Sequence, residues 1–395
     1  MPEKPIPYGR QHITDDDIEA VNAVLRGPFL TQGPTIGQFE AAFAQYVDAP
    51  YAVAVANGTA ALHLCCMALG VGPGTRVITT PITFSASANC VRYCGGEVYF
   101  ADIDPATALL SIDSVRALIE QHPAGYFSGI IPVDFAGYPV PMDQFRQLAD
   151  EHGLWLIEDS CHAPGGFFTD AAGQTHRCGD GSLADLAIFS FHPVKHIAAG
   201  EGGMVTTASK TLYDHLMRLR THGITNKPGD FTEPYPGEPE RGGWYMEMQE
   251  LGYNYRLTDF QAALGLSQLG RADAMFAERT AIARRYDDAF ANTPGLDLIV
   301  PPANVGHAYH LYVIQTDNRK ELYDFLRSRN IMVQVHYIPV HLMPYYRQFG
   351  WKPGDFPHAE RYYARCLSLP MFPTLTPDEQ AHVIESVKLG LRLEV

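Results

Sequence analysis

The feature that most constrains this fold is an alternation of short apolar runs and helix-period segments through the first half of the 395-residue chain. Strand-like runs fall at residues 51–56, 77–80, 98–101, 130–133 and 154–158. Helical patterns fall between them at 60–69, 85–93, 112–121 and 142–151. Two further short strands are expected at 187–191 and 204–207. Strands separated by single helices and short connections make crossover units. The predicted class is therefore α/β, with a large, mostly parallel sheet covered on both faces.

Two helices are expected ahead of this alternation. Thr14 can cap the first, with Asp17 where a capping box places an acid. Ile36, Phe39, Phe43, Tyr46 and Val47 mark the second. Past residue 222 the pattern changes. Residues 223–243 are rich in Gly, Pro and Glu and read as a long exposed loop. A long helix is expected from 258 to about 290, then a smaller alternation of strand and helix from about 301. The division predicted is a large domain over 1–257 and a small C-terminal α+β domain over 258–395.

Composition narrows the function. Apolar residues make up 46% and charged residues 18%, which suits a compact fold rather than a disordered one. Net charge is −15, which argues against nucleic acid and anionic membranes as partners. An anionic substrate would need a local basic patch. The 27 residues 49–75 carry no charge, long enough to imitate a membrane span. Asn57-Gly58-Thr59, His63 and the glycines at 70, 72 and 74 interrupt them, so a buried strand, a tight turn and a buried helix is the better reading. Those three glycines follow a helix and precede a strand, the wrong order for a dinucleotide fingerprint. Met1-Pro2-Glu3-Lys4 lacks an apolar signal core. Seven cysteines without a C-x-x-C pair fit buried reduced thiols. A cytoplasmic location is the expectation.

Three segments point to chemistry. Lys195 follows an apolar strand and precedes Gly200-Glu201-Gly202-Gly203. A lysine in such a setting can be partly desolvated, lose its proton and form a Schiff base; the segment also suits a surface lysine on a loop. Asp159 ends the strand 154–158, on the edge where ligands bind in open α/β sheets. A carboxylate there can keep a pyridine nitrogen protonated, although a lone Asp is more commonly a turn residue. Gly58-Thr59-Ala60 opens a helix after a strand, so its amides and the helix dipole favour a phosphate.

Together these parts resemble the DegT/DnrJ/EryC1/StrS sugar aminotransferases, which are fold-type-I enzymes dependent on pyridoxal 5'-phosphate. Further segments carry the resemblance: Glu158 through Ala163, Ser190 through Lys195, Gly252 through Asp259, and Val335-His336-Tyr337-Ile338-Pro339. It runs from Leu30-Thr31-Gln32-Gly33 to Ser368-Leu369-Pro370. Within the family the chain looks most like the aminotransferases of pseudaminic acid biosynthesis, on Pro81-Ile82-Thr83-Phe84, Val133-Asp134-Phe135-Ala136-Gly137 and Val333-Gln334-Val335-His336-Tyr337. Those enzymes move the amino group of glutamate to a UDP-linked 4-keto-6-deoxy sugar.

The resemblance implies roles by position. Lys195 would hold the cofactor and shuttle the proton, and Asp159 would pair with the pyridinium nitrogen. Ser190, with the amides at Gly58, Thr59 and Ala60, would bind the phosphate. Several relatives carry Ser where this chain has Ala60, so a hydroxyl contact is lost there while the amide remains. Phe84 would stack on the ring; for a lone Phe, core packing is the commoner fate. His162 would shape the cofactor pocket. Asn254 would reach the phosphate of a second copy, making an obligatory homodimer. Thr31, Gln32, His192, Arg256, His336 and Tyr337 are the expected sugar-site residues, with Arg256 or Arg220 for a carboxylate or diphosphate. His192 and His196 are four apart but lack the carboxylate of H-E-x-x-H, so no metal is expected. Three alternatives stay open: another keto-sugar of the perosamine, bacillosamine or 3-amino type; a sugar dehydratase or deoxygenase, against which Lys195 argues; and a non-catalytic regulator.

Overall fold

The computed structural model describes residues 4–232 and 242–392. Part of the loop expected at 223–243 lies outside them. The alternation produces strands β1 (Tyr51–Val55), β2 (Arg76–Thr79), β3 (Glu97–Phe100), β4 (Gly129–Ile131) and β5 (Trp155–Asp159). A small hairpin, β6 (Phe167–Thr169) and β7 (Thr175–Arg177), follows. Strands β8 (Leu186–Ser190) and β9 (Gly203–Thr207) complete a seven-stranded sheet of order β1-β9-β8-β5-β4-β2-β3. Every neighbouring pair is parallel except those of β9, which runs against both β1 and β8. Leu186, Ala187, Ile188 and Phe189 are all buried, as expected for a strand covered on both faces.

This geometry fixes where a site can form. The carboxyl ends of β1, β8, β5, β4 and β2 open on one edge of the sheet. They feed Asn57-Gly58, the segment after Ser190, Asp159, Val133 and the Pro81–Ser87 turn respectively. After α1 (Asp15–Leu25) and α2 (Pro34–Tyr46), the helices behind these strands begin at that same edge: α3 (Gly58–Ala68) and α4 (Ala86–Tyr93).

Differences from expectation are local. The helix expected at 60–69 begins at Gly58, because the Asn57 side chain accepts the Ala60 N–H (2.8 Å) and so caps it two residues earlier. The single helix expected over 258–290 is two, Asp259–Leu269 and Ala272–Phe290, broken at Gly270-Arg271. A helix at Lys210–Leu219 was not expected, though Ser209 caps it. At the start of the expected loop, Ile224–Thr225 pairs with Glu247–Met248, just past its end, as a short antiparallel ribbon. Of the expected capping box, the Asp17 half forms: the Thr14 N–H donates to Asp17 Oδ2 at 2.9 Å, while the Thr14 hydroxyl makes no hydrogen bond among the described residues.

Beyond the large sheet, Asp297–Leu298, Tyr312–Gln315 and Cys366–Leu369 form a three-stranded antiparallel sheet. Its core includes Ile282, Tyr286, Ile314, Leu326 and Val387. The N-terminal arm joins it: Ile6 pairs with Asn330 and Met332 at 2.8 Å each, and the Tyr8 carbonyl accepts from Met371. All seven cysteines are free. Among the described residues no helix is long and apolar enough to cross a membrane.

Candidate active site

A cavity of about 710 Å³ lies at the carboxyl edge of the sheet. Gly58, Thr59, Ala60, Phe84, Asp159, His162, Ser190, His192, Lys195, His336 and Tyr337 all line it. Residues remote in sequence are thus brought to one chamber, closed from the small-sheet side by His336, Tyr337 and His310. A polar groove of about 790 Å³ elsewhere carries no lysine or arginine.

Asp159 is buried at the end of β5. Its Oδ2 accepts from Ser87 Oγ at 2.6 Å and its Oδ1 from the Cys161 N–H at 3.2 Å. Lys195 lies five residues past the end of β8, the parallel neighbour of β5, and lines the same cavity. Burial lowers its pKa, and the nearby Cys161 and Asp159 oppose that shift. Burial also pushes the Cys161 thiol far up, so at neutral pH the opposing charge is that of Asp159. The result is an amine that gives up its proton more readily than a surface lysine.

The phosphate corner is built by close approach. A Cβ on Gly58 would stand 3.0 Å from Ser190 Cβ and 3.3 Å from Cys161 Sγ, and one on Gly203 would stand 2.6 Å from the Asn57 carbonyl carbon. Only glycine fits at Gly203, and a side chain at Gly58 would force its neighbours to give by a few tenths of an ångström. The Ala60 amide, expected to face the phosphate, is instead engaged by the Asn57 cap. The Gly58 and Thr59 amides belong to the first helical turn, whose N–H groups lack intrahelical acceptors. With Ser190 Oγ beside them, they suit an anion. Cradle, acid and amine face one space, so the residues present fit pyridoxal phosphate.

Three neutral histidines, His162, His310 and His336, line the site, and a fourth, His196, lies behind His310. Burial pushes His162, His196 and His310 well below the ordinary histidine range, and His336 down to about 4. His162 Nδ1 accepts the Ala136 N–H at 3.2 Å, so its proton sits on Nε2, 3.4 Å from the Tyr337 hydroxyl. Phe84 is 60% exposed, so core packing does not explain it. His192 is exposed, whereas His196 is buried and donates to the Ala308 carbonyl at 2.7 Å. The two therefore do not share a face. Among the described residues, the group close enough to share an ion is Asp134, Glu158 and Cys178. Burial raises both of its carboxyls, which describes two acids sharing a proton.

Four expected residues lie outside the cavity. Asn254 is exposed and pairs with Thr221, and Thr31 pairs with Thr258. Arg256 and Gln32 line a separate cavity of about 220 Å³. The reason is strand alternation. The 255–256 segment runs beside β1, with Ala56 N–H donating to the Tyr255 carbonyl, and successive side chains face opposite ways. Tyr255 therefore faces the cofactor cavity and Arg256 faces away. Arg220 is occupied by Glu40 and the Ala54 carbonyl. Sequence reasoning missed Tyr8, Ser87, Tyr255 and His310. Of these only Ser87 had a signal, lying one helical turn past Phe84.

The family model for DegT/DnrJ/EryC1/StrS aminotransferases matches residues 11–388. The chain belongs to this family. It is 40% identical to the spore coat polysaccharide biosynthesis protein SpsC of Bacillus subtilis, over 97% of this chain and 96% of that one. Among solved structures, Helicobacter pylori PseC, an aminotransferase in the biosynthesis of pseudoaminic acid, superposes with TM-score 0.87 at 28% identity, over 99% of this chain and all of that one. The PLP-form of the sugar aminotransferase Spr1654 of Streptococcus pneumoniae gives 0.88 at 26%, with the same coverage. The protein is thus a pyridoxal phosphate-dependent sugar aminotransferase of fold type I. The dehydratase and regulator alternatives give way to that activity.

Proposed function

We propose that this aminotransferase takes the amino group of glutamate and delivers it to a UDP-linked 4-keto-6-deoxy-N-acetylhexosamine, the step that makes the 4-amino sugar of pseudaminic acid. The observation that carries the reading is the chamber itself, which joins Lys195, Asp159 and the Gly58–Ser190 cradle under His336-Tyr337. The likeness to PseC supports the substrate. A second reading, an amino sugar destined for a surface polysaccharide, is favoured by the higher identity to SpsC.

When bound, pyridoxal phosphate supplies an electron sink for the carbon that loses its proton. Lys195 would anchor it through the amine and, at its Nζ, would accept and return the proton that the substrate carbon loses. Asp159 balances the ring nitrogen. Gly58, Thr59 and Ser190 hold the phosphate, and Phe84 covers the ring. His192, His336 and Tyr337 line the sugar side.

Among the described residues lining the chamber, Lys195 is the one lysine and none is an arginine. The donor carboxylate and the diphosphate therefore draw on cations outside this wall, Arg256 among them, with Thr31 and Gln32 nearby. A homodimer in which the exposed Asn254 reaches the second copy's phosphate fits this need. Apolar residues left exposed at Ile18, Leu25, Phe29, Leu30 and Leu251 support such a contact. The same reading divides the chain into 1–257 and 258–395 and places it in the cytoplasm.

The test is product analysis with glutamate and a panel of UDP- and dTDP-keto-sugars. Expected are 2-oxoglutarate and a UDP-4-amino-4,6-dideoxy sugar. Turnover of a dTDP-linked 3-keto sugar alone overturns the substrate reading.

A further inference from the structure

Asp159 does not stand alone. Ser87, on the first turn of α4, donates its hydroxyl proton to Asp159 Oδ2 at 2.6 Å. That distance lies in the range of an O–H bound to an ionised oxygen. A serine hydroxyl has one proton, and the competing acceptor, the Phe84 carbonyl, is 3.4 Å away. The proton therefore goes to Asp159. Thr83 Oγ1 lies 2.8 Å from Ser87 Oγ. Since Ser87 has spent its proton, Thr83 must be the donor in that pair. The direction of the chain is fixed: Thr83 to Ser87 to Asp159. Thr83 and Ser87 are 2% and 1% exposed, so water does not compete with either bond. The turn that holds them is pinned from the far side of the cavity, where the Val340 N–H donates to the Pro81 carbonyl at 2.9 Å.

We infer that Thr83 and Ser87 are positioning residues for the reaction, a two-hydroxyl relay that sets the plane of the Asp159 carboxylate and shares its negative charge. The inference rests on the cofactor reading above. Donor chains of this kind polarise one another, so the outer hydroxyl strengthens the inner bond. The relay occupies Oδ2 and leaves Oδ1 with only the longer Cys161 amide contact, so Oδ1 would be the oxygen freer to meet a ring nitrogen. It also explains why Phe84 lies between the two hydroxyls in sequence. One turn then supplies both the aromatic cover of the ring and the control of its acid.

Ser87→Ala removes the inner donor. The charge of Asp159 then falls more fully on the cofactor, which holds its titrating proton to higher pH. The experiment is a pH titration of the visible absorption of protein reconstituted with pyridoxal phosphate, with circular dichroism on each variant. Expected is a midpoint raised by about one unit in Ser87→Ala, the effect of one strong hydrogen bond to a charged group. Thr83→Val should raise it less, in the same direction, and Thr83→Ser should restore the wild-type value. A role in folding alone would not move a spectral midpoint in a folded, loaded variant. Unmoved midpoints in folded Ser87→Ala and Thr83→Val overturn the relay. Should Ser87→Ala fail to fold, Thr83→Val and Thr83→Ser decide it in the same way. A wild type that takes up no cofactor overturns the functional reading on which the relay rests.

Discussion

Substituting Gly58 with alanine separates the phosphate corner from the stability of the fold. The new Cβ would sit 3.0 Å from Ser190 Cβ and 3.3 Å from Cys161 Sγ. Relaxed carbon contacts need about 3.5–4.0 Å, so several tenths of an ångström must be found. Ser190 and Cys161 lie at or just beyond the ends of two central strands and move little. The helix N-terminus must withdraw, and with it the Gly58 and Thr59 amides. Overpacking of this size costs about 1–3 kcal/mol. In the fold it is partly offset by the roughly 0.5–1 kcal/mol that Gly→Ala returns in a helix. The backbone of Gly58 is not in the left-handed region, so no strain adds to this. At about 1.4 kcal/mol per decade, cofactor affinity should fall roughly ten- to hundredfold. The cofactor-free protein should melt within a few degrees of wild type. Titration of the apo-protein with pyridoxal phosphate, followed by visible absorbance, reads the first quantity, and thermal unfolding reads the second. Unchanged affinity would refute the placement of the phosphate at this turn.

Other outcomes follow from the same geometry. Lys195→Ala should abolish the borohydride-stable link to the cofactor while leaving the fold intact, as mass spectrometry would show. Because the Asp159 charge opposes the burial of Lys195, Asp159→Asn should shift cofactor capture by Lys195 to lower pH; a shift upward would contradict the electrostatics. Asp134 titrates at about 6 and Glu158 well above the ordinary range, both raised by burial. The folded state therefore binds more protons than the unfolded one from about pH 4 up through both raised values, and it loses stability as pH rises through that window. Glu158→Gln should flatten this component in denaturant titrations across the window, and an unaltered slope counts against the shared proton. Arg220→Ala leaves Glu40 buried without its partner and should cost about 3–5 kcal/mol in chemical denaturation.

The parts of the site that were legible in the sequence are those marked by local pattern. Lys195 stood out between an apolar strand and a glycine run, Asp159 by ending a strand, and Gly58-Thr59 by opening a helix. Each signal reports a strand end, and strand ends meet at one edge of a parallel sheet. Tyr8 and His310 were not legible, because they reach the chamber from segments whose own pattern does not point to it. Arg256 was drawn into the site by its motif, but the motif does not say which side of an extended segment a residue faces. The break at Gly270-Arg271 was hidden because apolar spacing runs on through both helices.

The pairing of Ile6 with residues 330 and 332 sets an order of events in synthesis. The arm leaves the ribosome first, yet its partners follow only about 320 residues later, at roughly 5–20 residues per second. For about 15–65 s it has nothing to bind. Tyr8, carried by that arm, cannot take its place in the chamber wall until the small sheet exists. The phosphate cradle and Asp159 are present well before that wall is closed. The nascent chain should therefore pass through an interval in which the proposed cofactor chamber is open on the side that Tyr8 covers.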